Sequence, residues 1–433
     1  MIPSSTFPTE IYEGILEQIG PFYTMIPLVE SSIFERDTKL ATLCSCALTC
    51  RAWLPTSRTC LYRNLTFTTA DKTSFEHFVR SLEENPWLKT LIKALDIIDI
   101  DEDFTPALVR QPLEHEMDIS QTWALMLAGK LPRLHTLGVA FANHLTRPSQ
   151  FVKSLQTFSA VTTLSLAWKA SGTFTDLFRF IASFHNLRRV MVYGAQWAPK
   201  GPRNIICPRR FPMLSVLSIV SDGCTEGTVW RDVAYALLQA VAASIGILFI
   251  EDANIPYDSL GGQPSRTMPS LHTLHVQAVR NVDWEHPDYE RLVAWTSALS
   301  APSLKHLVLY YSAFSGAHTL SDIRKFLGHL EKLDVALRSS SLRLLPKITL
   351  LVSQEFADGV NYPAIVADIT KYMREVFHSC KATEIKVIWG ILTITGGLVY
   401  RYLTQIEDGE IQSFHQPPPE LAHSPLSWDG HSS

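Results

Sequence analysis

The sequence predicts an α/β protein, in which a short helical N-terminal segment precedes an irregular solenoid of strand-and-helix repeats. Three observations lead to this fold class. A pattern of the form apolar-x-x-apolar-x-apolar recurs along most of the chain, and helical stretches separate its copies. The first 67 residues contain amphipathic helical periodicity. The length of 433 residues fits one small domain with a larger one, or a solenoid.

Composition narrows the possible functions. Hydrophobic residues form 46% of the chain and charged residues 18%, enough apolar residues for a large core. The formal net charge of -4 provides no basic field for nucleic acid or an anionic membrane, so protein partners are expected. The seven cysteines lack the paired spacing of a disulfide framework, and no signal peptide is expected, because the first ten residues contain no basic region and no apolar run. We therefore expect a reducing, intracellular location, cytoplasmic and/or nuclear.

Two amphipathic helices are predicted before residue 55. In the first, Thr9 is the N-cap and Gly20-Pro21 ends the helix. Its apolar stripe consists of Ile11, Ile15, Leu16 and Ile19. A long connection, Gly20–Lys39, follows.

The second helix contains three cysteines and is expected to stop near Pro55. Its predicted buried face is Leu40, Leu43, Cys46, Ala47, Cys50, Trp53 and Leu54, opposite Thr42, Ser45, Thr49 and Ala52. Cys46 and Cys50 lie one turn apart on the apolar side, while Cys44 does not. No histidine lies nearby to complete a zinc site, so small buried thiols are predicted in preference to a metal or redox site.

These segments resemble the F-box, the motif of adaptor proteins that bind Skp1, and most closely its large fungal set. "FPTEIYEGILEQI" resembles the opening Leu-Pro-x-Glu-apolar pattern, with Phe7 in place of leucine. "TLCSCALTCRAWLPTSRTCLYRNLTF" resembles the middle helix and the sequence after it. The matching middle-helix positions are Leu43, Cys46, Leu48, Cys50, Arg51 and Trp53. The resemblance covers about residues 5–67.

The resemblance implies a substrate-recognition adaptor of an SCF-type (Skp1-cullin-F-box) ubiquitin ligase. The chain would bind Skp1, and through it a cullin-RING ligase, while the repeats hold an unknown protein substrate. The residues implied to touch Skp1 or support that surface are Phe7, Pro8, Ile11, Ile15, Leu43, Ala47, Leu48, Cys50, Trp53 and Leu61. An ordinary three-helix cap on a solenoid is the alternative interpretation.

The repeats predict short strands joined by outer helices. Copies of the pattern start at Leu134, Val161, Leu187, Leu214, Ile245, Leu271 and Leu304, at intervals of 26 to 33 residues. Further copies are an earlier one at Ile92, a possible one at Leu330 that also suits a helix end, and one near Ile385. This pattern is leucine-rich-repeat-like, because each unit must stack on its neighbours to bury its apolar face. The characteristic asparagine is missing, so the repeats are expected to be irregular. A single α/β domain with parallel strands is the alternative.

The predicted domains are an F-box-like helical domain at 1–67, the solenoid at 68–404 and a disordered tail at 405–433. Insertions are expected at Asp99–Ala128, Ala195–Arg210 and Ile255–Ser270, and long loops of this kind commonly carry recognition. The uncharged run Val387–Tyr400 has 14 residues, fewer than the roughly 20 that span a bilayer. A buried strand pair is predicted there.

The acidic stretch Asp99–Thr105 is the one candidate for chemistry. It imitates a calcium loop, but Phe104 and Arg110 occupy the positions that need glycine and glutamate. Asp101 and Asp103 also fit the opening of haloacid-dehalogenase-type phosphatases, although no downstream lysine and acidic pair is clear. A solvated loop is predicted, with no catalytic residue, metal or cofactor. A repeat scaffold with a degenerate F-box and no ligase role remains the alternative to the adaptor.

Overall fold

The computed structural model describes residues 16, 30–49, 51–68, 71–98, 119–141, 149–168, 174–194, 211–221, 236–251, 267–277, 299–313, 328, 331–335, 345–355, 362–377, 384–395, 398–407 and 410–414. The chain divides into two compact units. The first comprises residues 1–190, 196–200 and 427–433, and the second comprises residues 191–195 and 201–426. Strand-and-helix repeats build both units, so the fold is the predicted α/β solenoid with leucine-rich-repeat-like units.

After the helical residue Leu16, the described part of the first unit has two helices, α1 (Glu30–Thr49) and α2 (Leu54–Arg63). The predicted connection Gly20–Lys39 is wrong from Glu30 onward, since α1 starts there. The sequence between Glu30 and Leu40 contains no glycine or proline to interrupt a helix. Pro55 begins α2 instead of ending α1. Proline suits a first turn because the N–H that it lacks would have no intrahelical acceptor there.

Strands and helices then alternate. The elements are β1 (Asn64–Thr68), α3 (Lys72–Glu84), α4 (Leu88–Leu91), β2 (Ala94–Ile98), α5 (Ile119–Leu127), β3 (Thr136–Phe141), α6 (Ser149–Leu155), β4 (Thr163–Trp168), α7 (Phe174–Ala182) and β5 (Arg189–Gly194). β1 to β4 pair in chain order, and every pair is parallel. The sheet therefore begins at Asn64, inside the segment that we assigned to the F-box-like domain.

The described part of the second unit consists of strands, with helical residues at 236–241, 331–335 and 362–376, and it ends in antiparallel strands. Its elements are β6 (Val216–Ser221), β7 (Ile247–Glu251), β8 (Thr273–Gln277), β9 (His306–Ala313), β10 (Lys347–Glu355), α8 (Tyr362–Val376), β11 (Glu384–Thr395), β12 (Leu398–Glu407) and β13 (Glu410–Phe414). β6 to β11 pair in parallel, whereas β12 pairs antiparallel with both β11 and β13.

The C-terminal strands confirm one prediction and correct another. The strand pair expected in Val387–Tyr400 is β11 and β12, while its burial stays a prediction. The disordered tail predicted from Gln405 is wrong for residues 405–407 and 410–414, which lie in β12 and β13. The sequence Asp408-Gly409 between these strands is a dipeptide that favours a two-residue hairpin turn, and this local preference outweighs the polar composition. Residues 415–433 lie outside the described residues.

The repeat pattern positions the strands. Every strand from β2 to β9 begins two residues after the first apolar residue of its copy, as β3 does after Leu134. β1 and β10 obey the same rule from Tyr62 and Leu345, two copies that the predicted series omits. The possible copy at Leu330 is helical at residues 331–335, and Ile385 lies in β11.

A backbone turn precedes the strand and places the first apolar residue of the repeat pattern in the core. In the copy at Leu134, the N–H of Leu134 donates to the carbonyl of Leu131 at 3.3 Å. The copies at Leu214, Leu271 and Leu304 have equivalent bonds at 3.2, 3.2 and 3.0 Å. The proline of "LPRL", "FPML", "MPSL" and "APSL" thus occupies the second position of a turn, which its fixed φ favours. Its role is to form the turn that follows the helix.

The characteristic asparagine of leucine-rich repeats is missing, and other hydrogen bonds between successive turns join the repeats. Asn186 donates from Nδ2 to the carbonyl of Ser159 at 2.7 Å, 27 residues earlier. In the second unit, Ser270 Oγ donates to the carbonyl of Ala243 at 3.0 Å, also 27 residues earlier. These bonds satisfy turn carbonyls at the junction between repeats, which would otherwise need water.

The core of the first unit includes part of a predicted insertion. Asp99–Ala128 is not loop-like throughout, because residues 119–127 form α5. Trp123 of α5 is fully buried, and its ring lies edge-on to Phe151 with centroids 5.6 Å apart. Aromatic burial of this size explains why the helix forms. Of the other two insertions, Ala195–Arg210 lies outside the described residues. In Ile255–Ser270 only residues 267–270 are described, and Met268 among them is buried.

Candidate partner-binding site

The two faces of α1 differ as its periodicity predicts. Leu43 is 1% exposed and belongs to the core, while Cys46 and Ala47 are half-buried. The opposite stripe is exposed, with Ser45 and Thr49 bonding back to helical carbonyls one turn earlier at 2.9 and 2.8 Å. The polar face therefore satisfies its hydroxyls within the helix and needs no contact with the rest of the chain.

Leu48 is the exception on this helix. Its side chain is 87% exposed, the most exposed of the large hydrophobic residues among those described. It neighbours the half-buried Ala47 and lies on the side of α1 that turns away from the buried Leu43. A leucine left in water at this position forgoes about 1.5–3 kcal/mol of burial free energy.

The other predicted contact residues are partly described. Trp53 and Leu61 are half-buried at the start and end of α2. Leu16 of the first predicted helix is 1% exposed, and Cys60 Sγ donates to its carbonyl at 3.7 Å. This contact joins the first helical segment to α2. Phe7, Pro8, Ile11, Ile15 and Cys50 lie outside the described residues.

α2 runs directly into the sheet, because Asn64 follows Arg63 without a linker. The Tyr62 ring lies edge-on to Trp87 with centroids 6.4 Å apart. Phe67 of β1 packs on Phe75 and Phe78 of α3 at 5.3 and 4.8 Å. The Tyr62–Trp87 contact holds α2 against the first repeat, and the phenylalanine contacts hold β1 against α3.

The described residues contain no assembled metal site. Among the described residues, no group of three histidine, cysteine or acidic side chains could hold a metal ion. Asp99, Asp101 and Asp103 lie outside those residues. Cys44 is exposed as predicted, and Cys46 is half-buried instead of fully buried. No helix in the described ranges has the length and apolar character needed to cross a bilayer.

The strand face opposite the apolar core carries small polar residues that periodicity did not single out. In the first unit, Asp96 and Ser165 are each 1% exposed, on β2 and β4. Gly138 lies between them in register, and a Cβ at this position would overlap Asp96 Oδ1. The close approach of Asp96 thus requires glycine at position 138.

In the second unit, this face carries two histidines. His275 stacks on Phe249 with ring centroids 4.0 Å apart and lies 6.4 Å from His306. His306 Nε2 and Thr349 Oγ1 are 2.8 Å apart. Both histidines are half-buried, and the imidazole of His306 is held by a hydrogen bond across strands. Only strand register brings them together, so sequence spacing alone could not reveal the cluster.

Two of the solved structures that match this chain are similar to it at low sequence identity. One is the leucine-rich repeat-containing protein LegL7 from Legionella pneumophila, at 14% identity and a TM-score of 0.41, covering 75% of this chain and 90% of that chain. A chain in the crystal structure of the Rad7 and Elc1 complex in yeast has 12% identity and a TM-score of 0.31, covering 85% of this chain and 91% of that chain. No protein-family model matches the chain, and no curated protein matches it. By its own strand order and repeats, the chain belongs to the class of leucine-rich-repeat-like α/β solenoids.

Proposed function

We propose that the chain is a substrate-recognition adaptor of an SCF-type ubiquitin ligase, binding Skp1 through its N-terminal helices. The observation that carries the proposal is the exposure of Leu48, a residue that the F-box resemblance places at the Skp1 contact. An exposed leucine beside half-buried Ala47, on a helix fixed by the buried Leu43, suits an apolar partner surface.

The repeats would hold a protein substrate. In this role the chain itself carries no catalytic step and needs no cofactor. It raises the effective concentration of substrate lysines near the ubiquitin-charged enzyme that a cullin-RING ligase recruits. The aromatic contact between α2 and the first repeat favours a fixed geometry between the Skp1 contact and the substrate. This role implies an intracellular location, in the cytoplasm, the nucleus or both, with neither nucleic acid nor membrane as a partner.

Co-expression with Skp1 followed by size-exclusion chromatography tests the proposal. A one-to-one complex is expected for the wild type, and its loss for Leu48→Glu and for Pro8→Ala. Met213→Glu is the matched control, because Met213 is also an exposed hydrophobic residue, at 57%, but lies in the second unit. If folded wild-type chain elutes without Skp1, the repeat scaffold with a degenerate F-box becomes the better account.

A further inference from the structure

The residue immediately before each strand of the first unit lies in a row along one edge of the sheet. The backbone N–H of each of these residues donates to the carbonyl of the equivalent residue before the preceding strand. These bonds are Lys93 to Arg63 at 2.8 Å, His135 to Lys93 at 2.8 Å, Thr162 to His135 at 2.9 Å and Arg188 to Thr162 at 2.8 Å. We call Arg63, Lys93, His135 and Arg188, with the neutral Thr162 among them, the basic row. Equivalent positions on paired strands present their side chains side by side.

The basic row is accessible and carries no acidic member. Lys93, His135 and Arg188 are exposed, and Arg63 is half-buried. The His135 ring is held in place because Nδ1 lies 3.2 Å from the carbonyl of Ala160, which can only accept. Three permanent cations and one imidazole therefore line one edge of the first unit.

One ion pair of the first unit involves a cation that is not in the row. Glu83 pairs with Lys130 at 2.6 Å, and the Lys130 ammonium lowers the pKa of the Glu83 carboxyl. The Glu83 carboxylate of α3 is thus engaged by a cation from outside the row. Among the described residues, no ion pair engages Lys93 or Arg63.

The second unit shows that the fold does not require basic residues at this position. There the residues before β6 to β10 are Ser215, Gly246, His272, Lys305 and Pro346. The same backbone bonds form, for example from Gly246 to the Ser215 carbonyl at 2.8 Å. Since serine and glycine take part in these same bonds, the backbone bonding itself does not explain the cations of the first unit.

We propose that the basic row binds an acidic, extended segment of a partner protein. Four strand spacings of about 4.8 Å make the row roughly 19 Å long, which matches about six residues of extended chain. Lysine and arginine on one edge suit carboxylates presented on one side of such a segment. The formal net charge of -4 for the whole chain disfavours a long polyanion such as nucleic acid. The inference rests on the proposed role of the repeats as the substrate-binding part of the protein.

Fluorescence anisotropy with the full chain and a fluorescein-labelled hexaglutamate peptide tests the inference, with a hexaglutamine peptide as the neutral probe. Hexaglutamate is expected to bind at least about ten-fold tighter at low salt, and the difference should shrink at high salt. The double variant Lys93→Glu/Arg188→Glu should lose this preference. The milder Lys93→Gln should weaken hexaglutamate binding by roughly three-fold, which guards against a folding defect in the double variant.

Arg80→Glu/Lys153→Glu is the matched control, since it changes the net charge equally at two exposed helix positions. It should bind hexaglutamate nearly as the wild type does. Equal affinity for both peptides, unchanged binding by both row variants, or tighter binding of an oligothymidine than of hexaglutamate would overturn the inference. Co-purification of the row variants with Skp1 reports separately on the adaptor proposal, so the two can fail independently.

Discussion

Gly138→Ala is expected to destabilise the first unit through its contact with Asp96. The two residues are directly paired on β3 and β2, and Asp96 is 1% exposed. A Cβ at position 138 would overlap Asp96 Oδ1 and lie 3.0 Å from its Cγ. The short, buried carboxylate has little room to move, so either the strands separate or the side chain leaves its preferred position.

Overpacking of this kind costs about 1–3 kcal/mol. Replacing a strand glycine by alanine returns roughly 0.5–1 kcal/mol of conformational entropy, so the net loss should be about 1–2 kcal/mol. For a unit of about 190 residues this lowers the melting temperature by roughly 2–8 °C. Thermal unfolding followed by circular dichroism measures the shift.

A double-mutant cycle separates the Asp96 contact from other effects of the alanine. In an Asp96→Ala background, Gly138→Ala should cost nothing or stabilise by about 0.5 kcal/mol. Asp96→Asn keeps the shape of the side chain, so the penalty should remain there. An undiminished penalty in the Asp96→Ala background would refute the steric explanation, as would a wild-type melting temperature for Gly138→Ala.

Three further predictions concern individual polar groups. Ser57→Ala should stabilise the chain by about 1 kcal/mol in urea unfolding, because the Ser57 hydroxyl is fully buried and makes no hydrogen bond among the described residues. Asp71 caps α3 by accepting from the Ser74 N–H at 3.0 Å, and hydrogen bonds from the Ser74 side chain and backbone lower the pKa of its carboxyl. The stabilisation by this cap is present above the unfolded pKa of Asp71 and is lost as the pH falls. Asp71→Ala should therefore lower the free energy of unfolding by about 1 kcal/mol at pH 7 and by less at pH 3. An equal loss at both pH values would contradict this. Burial and the Glu331 carboxylate raise the pKa of Tyr372 to about 12, so its contribution to stability is present below pH 10 and is lost as the pH rises through 12. Ultraviolet titration should show one late-ionising tyrosine that is missing in Tyr372→Phe.

Much of the sheet could be predicted, because the repeat pattern encodes strand position directly. The first apolar residue must enter the core through a turn, and the strand begins two residues later in every copy from β2 to β9. β1 was missed because Tyr62 stands at the first apolar position within the segment that resembles the F-box. β10 is not predicted because the possible copy at Leu330, whose residues 331–335 are helical, competes with the true copy at Leu345.

Helix boundaries were harder to predict, because proline and polar residues have more than one role. Pro55 is compatible with the end of one helix and with the start of the next, and the structure uses it as a start. Residues 30–39 lack a clear apolar stripe, so their helix was not predicted. The hairpin signal of Asp408-Gly409 was obscured by the polar composition around it.

The candidate surfaces differ in how far sequence alone reveals them. Leu48 is a candidate contact residue only through the resemblance to the F-box. The helical periodicity does not place it on the predicted buried face. The basic row could not be found from spacing, since its members are separated by 30, 42, 27 and 26 residues. Only the strand register places these positions side by side. The same holds for His275 and His306 in the second unit.

The affinity of purified chain for Skp1, compared between the wild type and Leu48→Ala, tests the central claim most directly. Truncating a leucine that becomes buried in a complex removes about 2 kcal/mol, so Kd should rise roughly 30-fold. Met213→Ala should leave Kd unchanged. Equal Kd values for wild type and Leu48→Ala, or no Skp1 binding by folded wild type, would contradict the assignment of this surface to Skp1.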